Sequence, residues 1–399
     1  MKLKGLLLAC ALMSCHGPAW AETTVKLGVL TDLSGPYADL SGKGSVIATQ
    51  MAAEEFQKTH PDFKIEVISA DHQNKPDVGS AVVRKWFDQD GVAAVVDAAS
   101  SAVALAVVKL ASDSNKVFLA SGPASSDITN KACSTNTVQW TYDTYALSKG
   151  TGDALARSGG DKWFFLTADY AFGHAMERDT SRFVQAAGGK VLGAARHPIN
   201  TPDFSSFLLQ AQSSGANVIG LANAGADTIN AVKQAAEFGL TSSGIRLAGL
   251  LVFITDVHSL GIKASQGLVV TEAFYWDLND NTRAFSKRFA ERAGGKMPSQ
   301  VHAGAYASTL HYLKALAATG SKADGKAVVA KMEELPTEDE AFGKGTIRKD
   351  GRKLHNMFLF EVKKPEESKG PWDLYKQLAT IPADQAFRPV AESECPLLR

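Results

Sequence analysis

The chain has 399 residues, of which 45% are hydrophobic and 21% are charged, and its 42 basic residues balance its 42 acidic residues. This length predicts two domains. The zero net charge argues against a nucleic-acid-binding protein, because such proteins usually carry a basic bias.

The N-terminus has the pattern of an export signal. Two lysines precede a short apolar stretch, residues 5–13, and an Ala-Trp-Ala sequence ending at Ala21 offers a cleavage site. We therefore predict a signal peptide over residues 1–21, cleaved after Ala21, and a periplasmic protein. A lipoprotein acylated at Cys15 is the alternative. No other stretch of the sequence approaches the roughly 20 apolar residues of a membrane-spanning helix.

Cleavage after Ala21 would leave Cys133 and Cys395 as the cysteines of the mature chain. Two thiols in an oxidising compartment more often pair than stay free. We therefore predict a disulfide that ties the C-terminal tail to the body of the protein. Two unrelated buried thiols are the alternative.

The segment Val25–Gly44 predicts a strand, a loop and the start of a helix. Val25–Leu30 is apolar and rich in β-branched residues, and Gly35-Pro36 then forces a turn. Ligands of open α/β sheets bind beyond the carboxyl ends of such strands. The loop Asp32–Gly42, with its backbone N–H groups and the hydroxyl of Ser34, is therefore predicted to capture a ligand.

The same alternation of strand and helix continues along the chain. Several predicted strands end in loops of Ser, Gly, Pro and Ala, which would lie at one edge of a parallel sheet. Strands are predicted over Ile65–Ala70, Val92–Val96, Val117–Ala120, Lys162–Thr167, Lys190–His197, Val218–Ala222, Arg246–Leu250 and Gly267–Thr271.

The order of these elements predicts an α/β protein with two Rossmann-like lobes. The chain builds one α/β unit, then a second, and then returns to the first. Ligands favour the interface between such lobes. The predicted boundaries are residues 22–141 with 273–343 for lobe 1, residues 142–272 with 344–399 for lobe 2, and hinge crossings near Tyr142–Tyr145, Thr271–Phe274 and Phe342–Thr346.

Motifs for catalysis are missing from the sequence. It has no G-x-S-x-G elbow, no phosphate-binding P-loop, no H-E-x-x-H and no G-x-G-x-x-G. Its nine histidines include no pair at i and i+4 that could ligate a metal. We therefore expect a binding protein with no cofactor and no metal, and not an enzyme; an exported hydrolase with an unrecognised site is a minor alternative.

Several segments together resemble one protein family. They are KLGVLTDLSGPYADLSG, VVDAASSAVALAV, FLASGPASSDIT, TADYAFG and GANVIGLANAGADTINAVKQAAEFGL. The chain resembles the branched-chain amino-acid (Leu/Ile/Val) type of periplasmic solute-binding protein of ABC importers, from Val25 to about Asp350. The resemblance implies the type I periplasmic binding fold. It also implies a monomer that serves an ABC permease and ATPase complex in the inner membrane and binds no nucleic acid.

The resemblance also implies where a ligand is held. Ser100 and the backbone around Gly122 and Ala124 would bind a carboxylate, with Ser125 as a substitute for the threonine that the family usually has there. Serines after strand ends are also common turn residues, so Ser100 without a ligand contact is the alternative. The pocket walls would include Leu40, Phe172 and Ala224.

One position departs from the family pattern. Amino-acid-binding members carry an acidic residue just after the strand that ends near Gly249, where this chain has Leu251. An amino-acid ammonium would then lack its counter-charge, unless Asp169, Asp227 or Glu272 supplied one.

With Phe274 and its aromatic neighbours nearby, we therefore favour an aromatic carboxylate, such as a benzoate or cinnamate derivative. A branched or keto acid would also fit, and hinge core is the alternative for the aromatic residues. The alternatives for function are a branched-chain amino-acid-binding protein and a subunit that presents its ligand to a membrane sensor.

Overall fold

The first sheet is organised around strand β1 (Thr23–Thr31). In the computed structural model, which describes residues 23–320 and 324–399, β1 pairs in parallel with β2 (Phe63–Asp71) and with β3 (Val92–Asp97). Leu27 and Val29 of β1 are fully buried. A parallel strand covered on both faces reads as a near-continuous apolar run, which is why the sequence predicted it. The predicted signal peptide and the alternative at Cys15 lie outside the described residues.

The first lobe is a parallel sheet with helices on both faces. Its strand order is β2-β1-β3-β4-β5. Its other elements in this part of the chain are α1 (Gly42–Thr59), α2 (Pro76–Asp88), α3 (Ser101–Asp113), β4 (Val117–Ala120) and β5 (Thr137–Gln139).

The second lobe repeats this architecture with strand order β7-β6-β8-β9, all parallel. A π-helical turn, Ser148–Gly152, joins its first two helices. Its elements are α4 (Thr144–Leu147), α5 (Asp153–Arg157), β6 (Lys162–Ala168), α6 (Ala171–Ala186), β7 (Lys190–His197), α7 (Ser205–Ser213), β8 (Val218–Ala222), α8 (Ala226–Glu237), β9 (Arg246–Gly249), α9 (Ile254–Leu260), α10 (Ile262–Ser265) and β10 (Val269–Glu272).

The rest of the chain returns to the first lobe and then to the second. Helices α11 (Asp280–Arg292), α12 (Gln300–Thr319) and α13 (Gly325–Glu334) share one hydrophobic core with β1, β3 and β4. A small antiparallel sheet follows; the next strand pairs with β10 in the second lobe, and the last strand pairs with that one. These elements are β11 (Thr337–Asp339), β12 (Gly343–Ile347), β13 (Lys353–Leu354), β14 (Met357–Val362), β15 (Tyr375–Ile381) and α14 (Ala383–Ala386).

The predicted disulfide is present. Cys133 and Cys395 are bonded, with their Cα atoms 5.7 Å apart and 262 positions apart in the chain. The two-lobed α/β fold is confirmed as well. The lobe boundaries at 141/142, 272/273 and 343/344 stay a prediction, and the segment predicted as the third crossing, Phe342–Thr346, lies largely in strand β12.

Candidate ligand-binding site

A small cavity lies between the two lobes, at the edge where parallel strands of both sheets end. Its volume for the centre of a water molecule is about 10 Å³, which holds one water. Its lining residues follow the carboxyl ends of strands, where open α/β sheets bind their ligands. They are Tyr37, Leu40, Ala99, Gly122, Ala124, Tyr142, Tyr170, Phe172, Ala224 and Leu251.

The loop after β1 forms one part of the first-lobe wall. The buried Asp32 carboxylate fixes this loop, because it accepts hydrogen bonds from the backbone N–H groups of Gly35 (2.7 Å) and Tyr37 (2.9 Å). This arrangement holds Tyr37 against the cavity. The hydroxyl of Ser34 donates to Asp71 (2.6 Å), and Ser34 is not among the lining residues of the cavity.

The turn between β3 and α3 forms the second part of that wall. Asp97 (φ 81°) and Ala98 (φ 58°) both adopt left-handed backbone conformations, which non-glycine residues rarely do. The Asp97 carboxylate supports the turn by accepting hydrogen bonds from the hydroxyls of Thr31 (2.8 Å) and Ser41 (2.6 Å). The turn brings Ala99 to the cavity wall.

Gly122 forms the third part of the wall, and the site requires a glycine there. A Cβ atom at this position would lie 2.1 Å from Oδ1 of Asp97 and 3.0 Å from Cα of Ala99. The carbonyl oxygen of Gly122 accepts a hydrogen bond from the hydroxyl of Tyr142 (2.6 Å). A side chain at position 122 would therefore push the turn between β3 and α3 away from the loop that carries Gly122.

The second lobe supplies an apolar wall. Phe172, in the first turn of α6, is 1% exposed, and Leu251, after β9, is 4% exposed. Tyr170 immediately precedes α6, and Ala224 lies in the short loop between β8 and α8. This wall is aromatic and aliphatic.

The two lobes touch each other across the cavity. The hydroxyl oxygens of Tyr37 and Tyr170 are 2.8 Å apart, and the Ala226 N–H donates to the carbonyl oxygen of Pro36 (3.2 Å). Gly225 (φ 55°) permits this approach, because a Cβ atom there would lie 2.2 Å from the same oxygen. A ligand larger than water therefore needs the two walls to separate before it can enter.

Helix N-termini supply partial positive charge next to the cavity. Helices α3 and α6 begin beside it, and neither has an acidic residue in its first turn. Helix N-termini present free N–H groups and partial positive charge. Among the residues that the structure describes, those lining the cavity include no carboxylate and no ammonium or guanidinium group.

The three carboxylates considered as partners of an ammonium point elsewhere. Asp169 lies 2.8 Å from His174 on the surface. Asp227 accepts hydrogen bonds from the backbone N–H groups of Asn200 and Thr201 (3.0 and 2.7 Å). Glu272 is fully buried, and burial raises its pKa well above the ordinary value. None of the three lines the cavity in the described part of the chain.

The structure brings together most of the residues predicted for the site. Leu40, Gly122, Ala124, Phe172, Ala224 and Leu251 all line the cavity. Their contact with a ligand stays a prediction.

Three predicted residues lie behind the cavity walls. Ser100 and Ser125 are fully buried, and within the described residues the Ser100 hydroxyl has no hydrogen-bond partner. The Ser125 hydroxyl accepts a hydrogen bond from the Asp127 N–H (3.3 Å). Ser100 directly follows the lining residue Ala99.

Phe274 is the third of these residues, and it packs in the core. Its ring lies 5.8 Å from that of Phe285 and 6.3 Å from that of Phe342, between ring centroids. The chain enters the first-lobe core directly after β10, which takes this ring away from the cavity. This placement agrees with the alternative that the aromatic residues form hinge core.

The sequence did not single out the tyrosines of the cavity. Tyr37 lies within the predicted capture loop, Tyr142 within the tyrosine-rich segment after β5, and Tyr170 within the TADYAFG segment. The sequence indicated a place in the site only through the position of these tyrosines after predicted strand ends. Neighbouring polar residues lie in the same loops, so position alone did not distinguish the tyrosines from them.

A larger cavity, with a volume of about 410 Å³, lies on the other side of the loop after β1. Two of its charged side chains form ion pairs: Lys296 with Asp39 (3.4 Å), and Arg292 with Glu54 (2.6 Å), which lies outside the lining. Its lining comes from both lobes: from the loop after β1, helix α1 and the region of α11 in the first lobe, and from helix α9 in the second. We favour the smaller cavity as the candidate ligand site because all of its lining residues follow the carboxyl ends of strands.

Two features of other protein classes are missing from residues 23–320 and 324–399. No described helix is both long and apolar enough to cross a membrane. No cluster of three or more His, Cys, Asp or Glu side chains suited to a metal ion occurs in this part of the chain.

Comparisons with known proteins agree with the fold. The family model described as "Periplasmic binding protein" matches residues 24–370. A crystal structure of a periplasmic binding protein from Burkholderia mallei is 47% identical, has a TM-score of 0.91, and covers 94% of this chain and 100% of that one.

Two further relatives have more specific names. A branched chain amino acid ABC transporter periplasmic ligand-binding protein from Burkholderia xenovorans is 41% identical, with a TM-score of 0.82 and coverage of 94% and 100%. The Leu/Ile/Val-binding protein homolog 6 of Brucella melitensis is 27% identical over 90% of this chain and 93% of its own length.

The predicted resemblance is therefore confirmed. Members of this family are exported, periplasmic proteins that bind small molecules for ABC transporters, and they are not enzymes. The parallel-sheet lobes, the cavity at their strand ends and the match over residues 24–370 lead to one conclusion: the chain belongs to the periplasmic binding protein family of ABC transport solute-binding proteins.

Proposed function

We propose that the protein captures a small aromatic carboxylate, such as a benzoate or cinnamate derivative, between its lobes and delivers it to an ABC permease. The observation that supports this proposal is the chemistry of the small cavity. Its walls are aromatic and aliphatic, helices α3 and α6 begin beside it, and no carboxylate side chain lines it within the described residues.

The carboxylate end of the ligand would lie at the first-lobe wall. The start of α3 and the loop carrying Gly122 and Ala124 offer neutral N–H donors there, and the unpaired hydroxyl of Ser100 is one residue away. Neutral donors can bind an anion at a helix N-terminus without a cationic side chain. The apolar body of the ligand would then face Phe172 and Leu251.

The same chemistry disfavours an amino acid. A buried ammonium without a counter-charge costs several kcal/mol. Leu251 occupies the place where the resembling proteins have an acidic residue, and none of Asp169, Asp227 and Glu272 lines the cavity in the described part of the chain. A carboxylate without an ammonium avoids this cost.

A branched-chain amino acid is the second candidate. The name of the 41% identical Burkholderia xenovorans protein favours it. In that case a carboxylate such as Asp97, which lies directly behind Gly122, would have to compensate the ammonium. A monomeric state is part of the proposal in either case.

A thermal-shift screen distinguishes the two candidates. We expect benzoate, cinnamate and their hydroxylated derivatives to raise the unfolding temperature, and leucine, isoleucine and valine to leave it unchanged. Ser100→Ala should reduce the shift, because the Ser100 hydroxyl is proposed to donate to the carboxylate. Ser112→Ala, at the exposed other end of α3, is the matched control and should behave as wild type. A shift with leucine and none with aromatic acids would reverse the assignment.

A further inference from the structure

The C-terminal segment crosses from one lobe to the other. Residues 387–395, the C-terminal strap, follow β15 and α14 of the second lobe and end at Cys395, which is bonded to Cys133 of the first lobe. The chain thus connects the lobes here in addition to the segments that join them in sequence.

The strap begins with contacts near the hinge. Phe387 is buried, with its ring 5.3 Å from that of His355 and 4.7 Å from the guanidinium carbon of Arg352. The carbonyl oxygen of Arg388 accepts a hydrogen bond from Arg348 (2.8 Å). These contacts fix the start of the strap.

The side chain of Arg388 then lies between the two lobes. Its Nη2 is 3.3 Å from Oδ1 of Asp179 on α6 of the second lobe and 3.4 Å from the hydroxyl oxygen of Ser126 in the first. The buried Asp179 also accepts hydrogen bonds from Ser126 and Thr144, each 2.6 Å long. Asp179 is therefore a common partner for Arg388 of the strap, Ser126 of the first lobe and Thr144 of α4.

The end of the strap contacts both lobes in turn. Glu392 pairs with Arg182 of α6 (2.6 Å). Two residues later, the Glu394 N–H donates to the side-chain oxygen of Asn130 in the first lobe (2.6 Å), next to the disulfide.

We propose that the strap is an additional connection between the lobes. Because the Cys133–Cys395 bond fixes its end, this connection restricts opening of the lobes. The bond holds the end of the strap on the first lobe, so the contacts of Arg388 and Glu392 with α6 re-form as intramolecular contacts each time the lobes close. An intramolecular contact benefits from a high effective concentration. Among the described residues, the other polar contacts that hold the first-lobe end of the strap are partly exposed and individually weak.

Hydrogen exchange at Ala226 measures this directly. Its N–H donates across the cavity to Pro36, so its exchange reports separation of the lobes, and no ligand is needed. We expect the peptide containing Ala226 to exchange roughly tenfold faster in Cys133→Ser/Cys395→Ser, the scale of one lost charge-assisted hydrogen bond. The peptide containing Ala98, whose N–H donates to Leu30 within the first lobe (2.7 Å), is the internal control and should keep its rate.

A second variant keeps the disulfide and removes the contacts with α6. Arg388→Gln/Glu392→Gln should accelerate exchange at Ala226 to a similar extent. This variant tests whether the strap restricts opening even if the serine variant does not fold. A variant with both pairs of substitutions should exchange at Ala226 no faster than a variant with either pair alone, because both pairs release the same connection. If the serine variant melts at a lower temperature but Ala226 exchanges at the wild-type rate in both variants, the disulfide only anchors the tail and the inference is wrong. This test does not depend on the ligand, so the proposed function can fail without affecting it.

Discussion

In the proposed function, Leu251 distinguishes between an amino acid and a simple carboxylic acid. Its side chain is 4% exposed and lines the cavity on the second-lobe side. An apolar group there leaves an ammonium without a partner but packs well against a hydrocarbon ring. The choice of ligand class therefore rests largely on one side chain.

Replacing Leu251 tests this role. Leu251→Glu should weaken binding of an aromatic carboxylate by about tenfold or more, because a second negative charge would enter a low-dielectric cavity. Leu251→Gln has nearly the same shape without the charge and should lose distinctly less affinity. Calorimetric titration of both variants with benzoate measures the difference. Equal losses for the two substitutions would assign the effect to shape and not to charge.

Asp97 is the carboxyl group directly behind the first-lobe wall, but it is poorly suited to neutralise a ligand. Burial raises its pKa above the ordinary value, and Oδ2 accepts hydrogen bonds from Thr31 and Ser41. Gly122 separates it from the cavity. Its role in this conformation is to hold the turn between β3 and α3.

The start of helix α9 contains a second buried acid, Asp256. Its carboxylate accepts a hydrogen bond from the N–H of Phe253 (2.9 Å), and burial raises its pKa to about 7. Because the folded-state pKa lies above the unfolded one, the unfolded chain releases this proton first. The free energy of unfolding therefore falls as pH rises from about 4 through 7.

Asp256→Asn should remove this part of the pH dependence. Between pH 5 and pH 8, wild type should lose about 2–3 kcal/mol more stability than the variant, measured by urea unfolding at both pH values. Asp113→Asn, at an exposed position at the end of α3, should keep the wild-type dependence. A wild-type dependence in Asp256→Asn would mean that the Asp256 carboxyl group is already ionised near pH 5 in the folded protein.

At the scale of elements, the sequence predicted the strands and the edge at which the cavity lies. Apolar runs followed by Gly, Ser and Pro marked the ends of β1, β3 and β4 to within one residue. The sequence did not reveal which loop residue faces the cavity. That depends on the left-handed backbone of Asp97 and Ala98, which turns Ala99 rather than Ser100 to the wall.

Tertiary packing also determines which aromatic side chains lie in the core and which line the cavity. A run of apolar rings after β10 is equally compatible with a pocket and with a core, and Phe274 lies in the core. Tyr142 reaches the cavity because its hydroxyl bonds the carbonyl of Gly122, 20 positions away in the chain. Contacts between distant segments of this kind leave no pattern in a single sequence.

At the scale of the whole molecule, closure of the lobes governs access to the cavity. Contacts from Tyr37 to Tyr170 and from Ala226 to Pro36 join the two walls, and the remaining space holds one water. Hinge motion of the lobes is the usual way in which such sites admit and enclose a ligand. A ligand would then replace the contact between the tyrosine hydroxyls.

Calorimetric titration with matched pairs of ligands tests the central claim most directly. 3-Phenylpropanoate differs from phenylalanine, and 4-methylpentanoate from leucine, by the α-ammonium group alone. With no carboxylate lining the cavity in the described residues, each acid should bind at least about 100-fold more tightly than its amino acid, because a buried unpaired charge costs several kcal/mol. Tighter binding of leucine or phenylalanine than of the matching acid would contradict the account.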